Sequence, residues 1–204
     1  MHTALFILCG YLSGSVLYAR VFARIMKKEG MIESSRDQNP GTANAFMYGG
    51  FCCGACTLLC DLLKGFLPVF LYLHSGAFRE GDWFGLSLVL AAPVIGHVLP
   101  LFYRFKGGKG IATTFGCLLG LFPKWRPAVI LAVFFLFFSL VLRISTHCYR
   151  TLAAYLCALV GMLLWVEDVA VLVGFIVMAV VVSVRMLTSK EEKEKAKVRL
   201  LWMH

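Results

Sequence analysis

The stretch "RFKGGKGIATTFG", residues 104–116, places two lysines and an arginine among four glycines. It follows residues 83–103, which are apolar enough to lie in a lipid bilayer. Glycine lets the backbone approach a ligand closely and turn its N–H groups inward, which is how proteins build a nest for an anion. The stretch therefore predicts a phosphate-type site at the point where a membrane helix ends.

The composition of the whole chain agrees with a membrane protein. Of its 204 residues, 60% are apolar and 15% are charged, and the mean hydropathy is +0.81. Such a chain has too few polar side chains to cover a water-exposed surface in the ordinary way. We expect an all-α integral membrane protein, with one helical bundle over residues 1–187 and a charged cytosolic tail over residues 188–204.

Seven apolar segments indicate a bundle of about seven transmembrane helices, since each needs roughly 20 residues to cross about 30 Å of hydrocarbon. The fourth segment is short. As a helix it would cover about 18 Å at 1.5 Å per residue, so it is either a short span or a half-helix that re-enters. The segments are residues 3–23, 45–73, 83–103, 111–122, 127–142, 151–166 and 168–187.

The basic residues are distributed unevenly between the two ends of these segments. With seven crossings and an outside N-terminus, most of them fall on one side, as the positive-inside rule predicts for a cytoplasmic face. The net charge of +9 then reflects orientation and attraction to anionic lipid, with no need for nucleic acid. The cytoplasmic set is Arg20, Arg24, Lys27, Lys28, Arg36, Arg104, Lys106, Lys109, Arg143, Arg150 and the tail, against Arg79, Lys124 and Arg126 outside.

A removable signal peptide is the alternative interpretation of residues 1–18. No charged segment precedes this apolar run, and Arg20 and Arg24 follow it. We therefore expect a first helix that is retained.

The tail after residue 187 has the features of a helix outside the membrane. Ser189 and Glu192 have capping-box spacing, and Glu191 and Lys195 stand four residues apart in the favourable order. We expect a cytosolic helix here; a solvated tail whose only role is in topology is the alternative.

Eight cysteines raise the question of a metal site. Cys53, Cys56 and Cys60 share one face of a predicted helix, and the first two form a C-x-x-C pair. That segment is assigned to lipid, where small soft side chains help helices to pack. Because no second C-x-x-C pair or histidine cluster completes a zinc site, we expect neither a metal nor another cofactor.

Asp61, Lys64 and His97 lie within predicted membrane segments, where ionisable groups are costly and usually mark a partner or a path. Asp61 and Lys64 are three residues apart, so they share a helix face and can neutralise each other. Either a structural ion pair or a substrate contact would explain them. His97 lies near the end of the third segment, shortly before the glycine loop, and we expect it to belong to the same site.

The glycine loop contains the candidate phosphate ligands. Its glycines free the backbone, its lysines add charge, and a helix predicted to begin near Ile111 would turn its positive end toward the same point. It is not a Walker A loop, because Tyr103 stands where that motif needs glycine. A basic loop that serves topology alone is the alternative. The candidate ligands are Lys106, Gly107, Gly108, Lys109 and Gly110.

A second polar cluster, "SSRDQNPGTANAF" at residues 34–46, includes the start of the second apolar segment. Its Asn39, Gly41 and Asn44 combine turn chemistry with hydrogen-bonding side chains. As structure alone this is a turn and a helix N-cap. Beside the glycine loop it would form the second wall of a polar groove, with hydrocarbon below, that suits a substrate with a charged head and a fatty tail.

The order of these motifs resembles one family of membrane enzymes. Over roughly residues 5–116 the chain resembles the bacterial acyl-phosphate-dependent glycerol-3-phosphate acyltransferases, the PlsY family. The last two motifs are the most specific. The motifs are Gly14-Ser15, Asn39-x-Gly41-x-x-Asn44, Asp61-Leu62-Leu63-Lys64-Gly65, Gly96-His97-x-x-Pro100-x-Phe102 and Phe105-x-Gly107-Gly108-Lys109-Gly110-x-Ala112-Thr113.

The resemblance implies a seven-helix enzyme of the bacterial inner membrane whose active site faces the cytosol. It would move a fatty acyl group from acyl phosphate to the 1-hydroxyl of glycerol 3-phosphate, giving lysophosphatidic acid and phosphate, the first step of phospholipid synthesis. Its partners would be these two substrates and membrane lipids. Acyl phosphate is already an activated mixed anhydride, so the protein needs to supply orientation and charge stabilisation rather than a nucleophile.

The resemblance also implies roles for individual residues. His97, Lys109 and Asn44 would act in catalysis. Ser15, Asp61 and Lys64 would support them from inside the membrane. The substrate-binding set would be Asn39, Gly41, Lys106, Gly107, Gly108, Gly110 and Thr113.

The chain departs from the family pattern at three places. Residues 36–38, Arg-Asp-Gln, replace the usual Gly-Ser-Gly, and Met47 replaces an arginine. The last apolar segment ends without the family's His-Arg-x-x-Asn motif, and there Arg185 or Lys190 would supply charge. The alternatives are a silent or altered-acceptor relative that binds a phosphorylated lipid precursor and, less directly, a small transporter, which the gathering of the polar clusters at one face disfavours.

Overall fold

The computed structural model describes residues 2–28, 30–144 and 146–189, together with the backbone of residues 198–200. These residues form a helical bundle, so the expected all-α membrane fold is confirmed. The helices are α1 His2–Gly14, α2 Tyr18–Ile25, α3 Thr42–Gly49, α4 Phe51–His74, α5 Trp83–Val98, α6 Ile111–Leu119, α7 Arg126–Leu136, α8 His147–Trp165 and α9 Val169–Leu187, with a 3₁₀ turn at Leu101–Tyr103 and a π turn at Phe137–Val141.

Each of the seven predicted apolar segments is helical, but the helices differ in length. Four of them, in the described part of the chain, are long and apolar enough to cross a membrane, and α1 with α2 makes a fifth if the bent pair is one span. At 1.5 Å per residue, α6 is only about 14 Å long, which is less than its segment predicted. The number of seven crossings therefore stays a prediction.

The first two apolar segments are interrupted where the sequence predicted continuous helices. The first bends by 43° between α1 and α2, and the second is broken at Gly50. Gly50 has a φ of +86°, a left-handed value that ends α3 and that side chains other than glycine rarely adopt. One consequence is that Asn44, expected just before a helix, lies inside α3.

The core of the bundle is built around α5, which is buried over most of its length. This helix contacts α1, α4, α6 and α9. Leu90 and Val94 of α5 belong to one buried cluster with Leu118 of α6, Tyr155 of α8 and Phe175 of α9. The fixed position of α5 matters for the site, because His97 lies in its last turn.

A short antiparallel ribbon joins the end of the bundle to the tail. Strand β1, Leu142–Ile144, pairs with β2, Val198–Leu200, in the register Leu142 to Leu200. For these three tail residues the predicted helix is wrong, because β1 offers a strand edge to a segment that contains β-favouring valine. The capping-box residue Glu192 and the Glu191 and Lys195 pair lie outside the described residues.

Helices α4 and α6 approach each other closely through glycine. A Cβ atom on Gly116 of α6 would overlap the carbonyl oxygen of Leu62 and would lie 2.9 Å from its carbonyl carbon, both part of the α4 backbone. A helix backbone cannot move aside as the end of a flexible side chain can. The position of α6, and of the glycine loop before it, therefore depends on this contact.

We expect Gly116→Ala to destabilise the bundle by about 1–3 kcal/mol, since overpacking a tight contact forces the backbone to shift. The measurement is the thermal unfolding midpoint of the purified protein in detergent. Gly76→Ala is the matched control, because Gly76 is exposed and a Cβ there meets no atom within 4 Å. Equal midpoints for the two variants would contradict the described packing of α4 and α6.

Candidate active site

A cavity of about 710 Å³ lies between the segment that leads into α3, the helices α4, α5 and α6, and the start of α8. Its wall contains both charged and apolar side chains, as a substrate with a phosphate head and a fatty chain requires. The polar members are Arg36, Asp37, Asn39, Thr42, Asn44, Asp61, His97, Lys109, Thr146 and His147, and the apolar members include Met47, Leu58, Ile111, Phe115 and Phe135.

The glycine loop is packed against the end of α5. Gly108 N–H donates to the carbonyl oxygen of His97 at 3.0 Å, and a Cβ on Gly108 would overlap the His97 ring at Nε2. Arg185 Nη2 of α9 donates to the carbonyl oxygen of Gly107 at 2.8 Å. Glycine is therefore required at 108 because the backbone lies directly on His97. The sequence predicted that Gly107 and Gly108 bind phosphate, but the residues of this loop that line the described cavity are Lys109 and Gly110.

The first turn of α6 has its backbone N–H groups available for a ligand. Gly110, with a φ of +82°, precedes this helix, and no side chain caps it. Gly110, Ile111 and Ala112 all line the cavity. The positive end of the helix dipole and the uncapped N–H groups of this turn are therefore placed at the cavity, as expected from the sequence.

Asp37 connects the polar cluster at residues 34–46 with the glycine loop, the two segments predicted to form the walls of the groove. Its Oδ2 lies 2.8 Å from Lys109 Nζ, and both side chains are about one tenth exposed, at 10% and 9%. Its Oδ1 accepts hydrogen bonds from Asn44 Nδ2 at 2.7 Å and from Asn39 N–H at 3.2 Å. Asn44 Nδ2 also donates to the Asn39 carbonyl at 2.8 Å. Three predicted residues, Asn39, Asn44 and Lys109, thus meet at one carboxylate.

The surroundings of Asp37 keep this carboxylate ionised. Burial raises its pKa, but hydrogen bonds from Lys109 and Asn44, the charge of Lys109 and the Asn39 N–H outweigh burial and hold the pKa below that of an ordinary aspartate. Because the folded-state pKa is the lower one, the ionised group contributes stability fully above the unfolded-state pKa. That contribution is lost as the pH falls through the folded value.

Lys64 of α4 is buried and makes three close polar contacts. It lies 2.8 Å from Asp61 Oδ1, and it donates to the Val16 carbonyl at 2.7 Å. Its third contact, also 2.7 Å, is His97 Nδ1. Thr42 donates to the other oxygen of Asp61 at 3.4 Å. The predicted Asp61–Lys64 pair is therefore present, and it is tied to His97.

This arrangement assigns the proton of His97. An ammonium group has three donors and no acceptor, so the Nδ1 atom that faces Lys64 accepts a hydrogen bond. The proton of the neutral ring is then on Nε2, the atom that faces Gly108. His97 also lines the cavity, and with this tautomer its ring can donate a hydrogen bond from Nε2 but not from Nδ1.

Three other predicted residues lie away from the described cavity wall. Ser15 is buried, and its Oγ accepts from Leu101 N–H at 3.3 Å, which ties α1 to the end of α5. Thr113 is fully buried, and its Oγ1 has no hydrogen-bond partner among the described residues. Lys106 is exposed. Gly41, in contrast, lines the cavity as predicted.

Sequence reasoning did not place several residues of the site. Thr146 and His147 line the cavity from the start of α8, and no local motif marks them. Arg185 was noted only as a source of charge at the end of the last segment; its contact with the Gly107 carbonyl ties α9 to the glycine loop. No group of three His, Cys, Asp or Glu side chains able to hold a metal occurs within the described part of the chain.

Comparison with known proteins identifies relatives of this chain. The family model described as glycerol-3-phosphate acyltransferase matches residues 4–193. The glycerol-3-phosphate acyltransferase of Aliivibrio salmonicida is 41% identical over 114 residues, which are 55% of this chain and 55% of that protein. That of Azotobacter vinelandii is 48% identical over 96 residues, 47% of each. The chain thus spans about half the length of the curated relatives it matches.

A solved structure is similar over most of the chain. The crystal structure of PlsY (YgiH), an integral membrane glycerol 3-phosphate acyltransferase in its glycerol 3-phosphate form, has a TM-score of 0.77 and 26% identity, covering 91% of this chain and 88% of that one. Its lysophosphatidic acid form has a TM-score of 0.74 and 25% identity. Because the family model covers nearly the whole chain and the described fold matches, this protein belongs to the glycerol-3-phosphate acyltransferase family, as its motifs predicted.

Proposed function

We propose that this chain transfers a fatty acyl group from acyl phosphate to the 1-hydroxyl of glycerol 3-phosphate, giving lysophosphatidic acid and phosphate. The observation that carries the proposal is the meeting of Lys109, Asn44 and His97 in one cavity with both charged and apolar walls. The related PlsY was crystallised in glycerol 3-phosphate and lysophosphatidic acid forms, which supports the same acceptor and product here.

The reaction needs positioning and charge stabilisation more than a nucleophile from the protein. The oxygen of the acceptor hydroxyl forms a bond with the acyl carbon, and the bond from that carbon to the phosphate oxygen breaks. Phosphate leaves with the electron pair of the broken bond, and it can accept the hydroxyl proton. Negative charge develops on the carbonyl oxygen in between, so a fixed hydrogen-bond donor near that oxygen lowers the barrier.

The described residues supply these functions. Lys109 and the uncapped first turn of α6 would hold the phosphate group. The His97 Nε2–H, oriented by Lys64, would donate to the carbonyl oxygen as its charge develops. The side-chain oxygen of Asn39 is buried and has no hydrogen-bond partner among the described residues, so it can accept from a hydroxyl of the acceptor. Apolar side chains such as Phe115 and Phe135 would hold the fatty chain.

A relative that binds phosphorylated lipid precursors without turnover, or that uses a different acceptor, is the second candidate. One observation favours it: Lys109, the expected phosphate ligand, is paired with Asp37. The assay described below separates the two functions, because a silent relative would bind acyl phosphate and release nothing.

We also propose that the site faces the cytosol and that the N-terminus lies outside the bacterial inner membrane. The proposal rests on the uneven distribution of basic residues and on the position of the cavity, whose wall includes Arg36 and Lys109 from two loops of the basic side. The exposed pair of Lys124 and Asp168, 3.0 Å apart, lies in loops assigned to the opposite side.

Reporter fusions test this topology in a bacterial host. We expect alkaline phosphatase to be active when fused after Arg79, because that loop is predicted to face the periplasm. Green fluorescent protein fused after residue 204 should fluoresce, because it folds on the cytosolic side. The reverse pattern, with an active phosphatase at residue 204, would contradict the proposed orientation.

The function is tested with purified protein in detergent or a lipid mesophase, given palmitoyl phosphate with and without glycerol 3-phosphate. We expect phosphate release that depends on glycerol 3-phosphate, with lysophosphatidic acid identified by mass spectrometry. Lys109→Ala should reduce turnover by about 10²–10³-fold, the usual effect of losing a charge-stabilising group.

Two variants serve as controls for this assay. Lys124→Ala makes the same change in an exposed lysine away from the cavity, and Cys56→Ser changes a residue of α4 that does not line the described cavity. Both should keep wild-type turnover. Binding of palmitoyl phosphate with no release of phosphate under any condition would favour the silent relative.

The proton position on His97 can be measured by ¹⁵N NMR of histidine-labelled protein at neutral pH. We expect the signals lost in His97→Gln to show a protonated Nε2 and an unprotonated Nδ1, because Lys64 donates to Nδ1. Lys64→Met should remove this preference and lower kcat more than it raises KM. A proton found on Nδ1 in the wild-type protein would remove His97 as the donor to the carbonyl.

A further inference from the structure

A carboxylate of the protein occupies the place where a substrate phosphate is expected to bind. The two oxygens of Asp37 have different partners: Oδ2 lies 2.8 Å from Lys109 Nζ, and Oδ1 accepts hydrogen bonds from Asn44 Nδ2 and Asn39 N–H. The pair lies in the cavity wall.

The ion pair of Asp37 and Lys109 affects how a phosphate group can bind. Both side chains are about nine-tenths buried, so water screens their attraction much less than at a surface. A phosphate group that approaches Lys109 therefore meets the negative charge of Asp37 at the same point. It binds only if it displaces the carboxylate from Lys109 or shares the lysine with it.

Arg185 holds a second positive charge beside the glycine loop. It is half-buried, and its Nη2 donates to the Gly107 carbonyl at 2.8 Å. Its Nε atom has no hydrogen-bond partner among the described residues. A cation therefore remains in this region when a phosphate group takes Lys109 from Asp37.

We propose that Asp37 is a resident counter-ion of the phosphate site, which the phosphate group of the substrate displaces from Lys109. This inference rests on the proposed function, because it takes Lys109 as the phosphate ligand. Asp37 then determines the selectivity of the site. Inorganic phosphate interacts with the site only through its charge, so it binds weakly. A phosphorylated substrate makes further contacts elsewhere in the cavity, and these contacts offset the loss of the ion pair.

The test is the affinity of the purified protein for inorganic phosphate, measured by isothermal titration calorimetry in detergent at neutral pH. The informative variant is Asp37→Asn. Its side-chain oxygen can keep the Oδ1 bonds to Asn44 and Asn39 N–H, while the charge beside Lys109 is removed. We expect phosphate to bind at least about tenfold more tightly, because the competing negative charge is gone.

Further variants separate this inference from the proposed function. Lys109→Ala should weaken phosphate binding in both the wild-type and the Asp37→Asn backgrounds. If Lys109→Ala has no effect, Lys109 is not the phosphate ligand, and both the counter-ion role and this part of the proposed function are wrong. If Lys109→Ala weakens binding but Asp37→Asn does not tighten it, the counter-ion role alone is wrong.

A second variant and a kinetic readout exclude a purely structural role. Asp37→Ser also removes the charge, and it should tighten phosphate binding if Asp37→Asn fails to fold. In the acyl transfer assay, the counter-ion role predicts stronger inhibition by phosphate and a lower KM for palmitoyl phosphate, with measurable kcat. Loss of kcat with unchanged phosphate affinity would overturn the inference and indicate instead that Asp37 accepts the hydroxyl proton.

Discussion

The buried ammonium of Lys64 is the interaction on which both the fold and the candidate site depend. A desolvated ammonium is tolerated when its three hydrogens are bonded and its charge is compensated. Its acceptors come from three places: the break after α1, α4 itself and α5. Val16 can accept because α1 has already ended there, so no helical N–H uses its carbonyl. The break after α1 and the orientation of His97 are thus linked through one side chain.

The two lysines near His97 are held in different ways. Lys64 lies on the Nδ1 side, does not line the described cavity and contacts Val16, Asp61 and His97. Lys109 belongs to the glycine loop on the Nε2 side and lines the cavity, and its carboxylate partner belongs to a loop, not to a helix. A charge held by α4, α5 and the break after α1 fixes the orientation of His97. A charge paired with a loop can change partners without disturbing the bundle, which suits the binding and release of phosphorylated molecules.

The sequence predicted the features that depend on local composition and spacing. The apolar segments, the glycine loop, the Asp61–Lys64 pair and the family all follow from such patterns. It did not predict the break at Gly50 or the bend near Val16, because a single glycine and a long-range acceptor decide them and the apolar pattern continues through both. It also missed the pairing of Asp37 with Lys109, since the packing of α3 on α4 and of α4 on α6 brings their two loops together. The strand at residues 198–200 depends in the same way on a distant edge, β1.

The charge around Lys109 is nearly balanced within the cavity. Asp37 places a negative charge 2.8 Å from the lysine, and Met47 adds an apolar side chain to the same wall. The proposed counter-ion role therefore predicts a low affinity for phosphate alone, because the ion must compete with the carboxylate for the lysine. Under that proposal, selection among phosphorylated ligands depends more on Asn39, on the first turn of α6 and on the apolar wall than on the positive charge of Lys109.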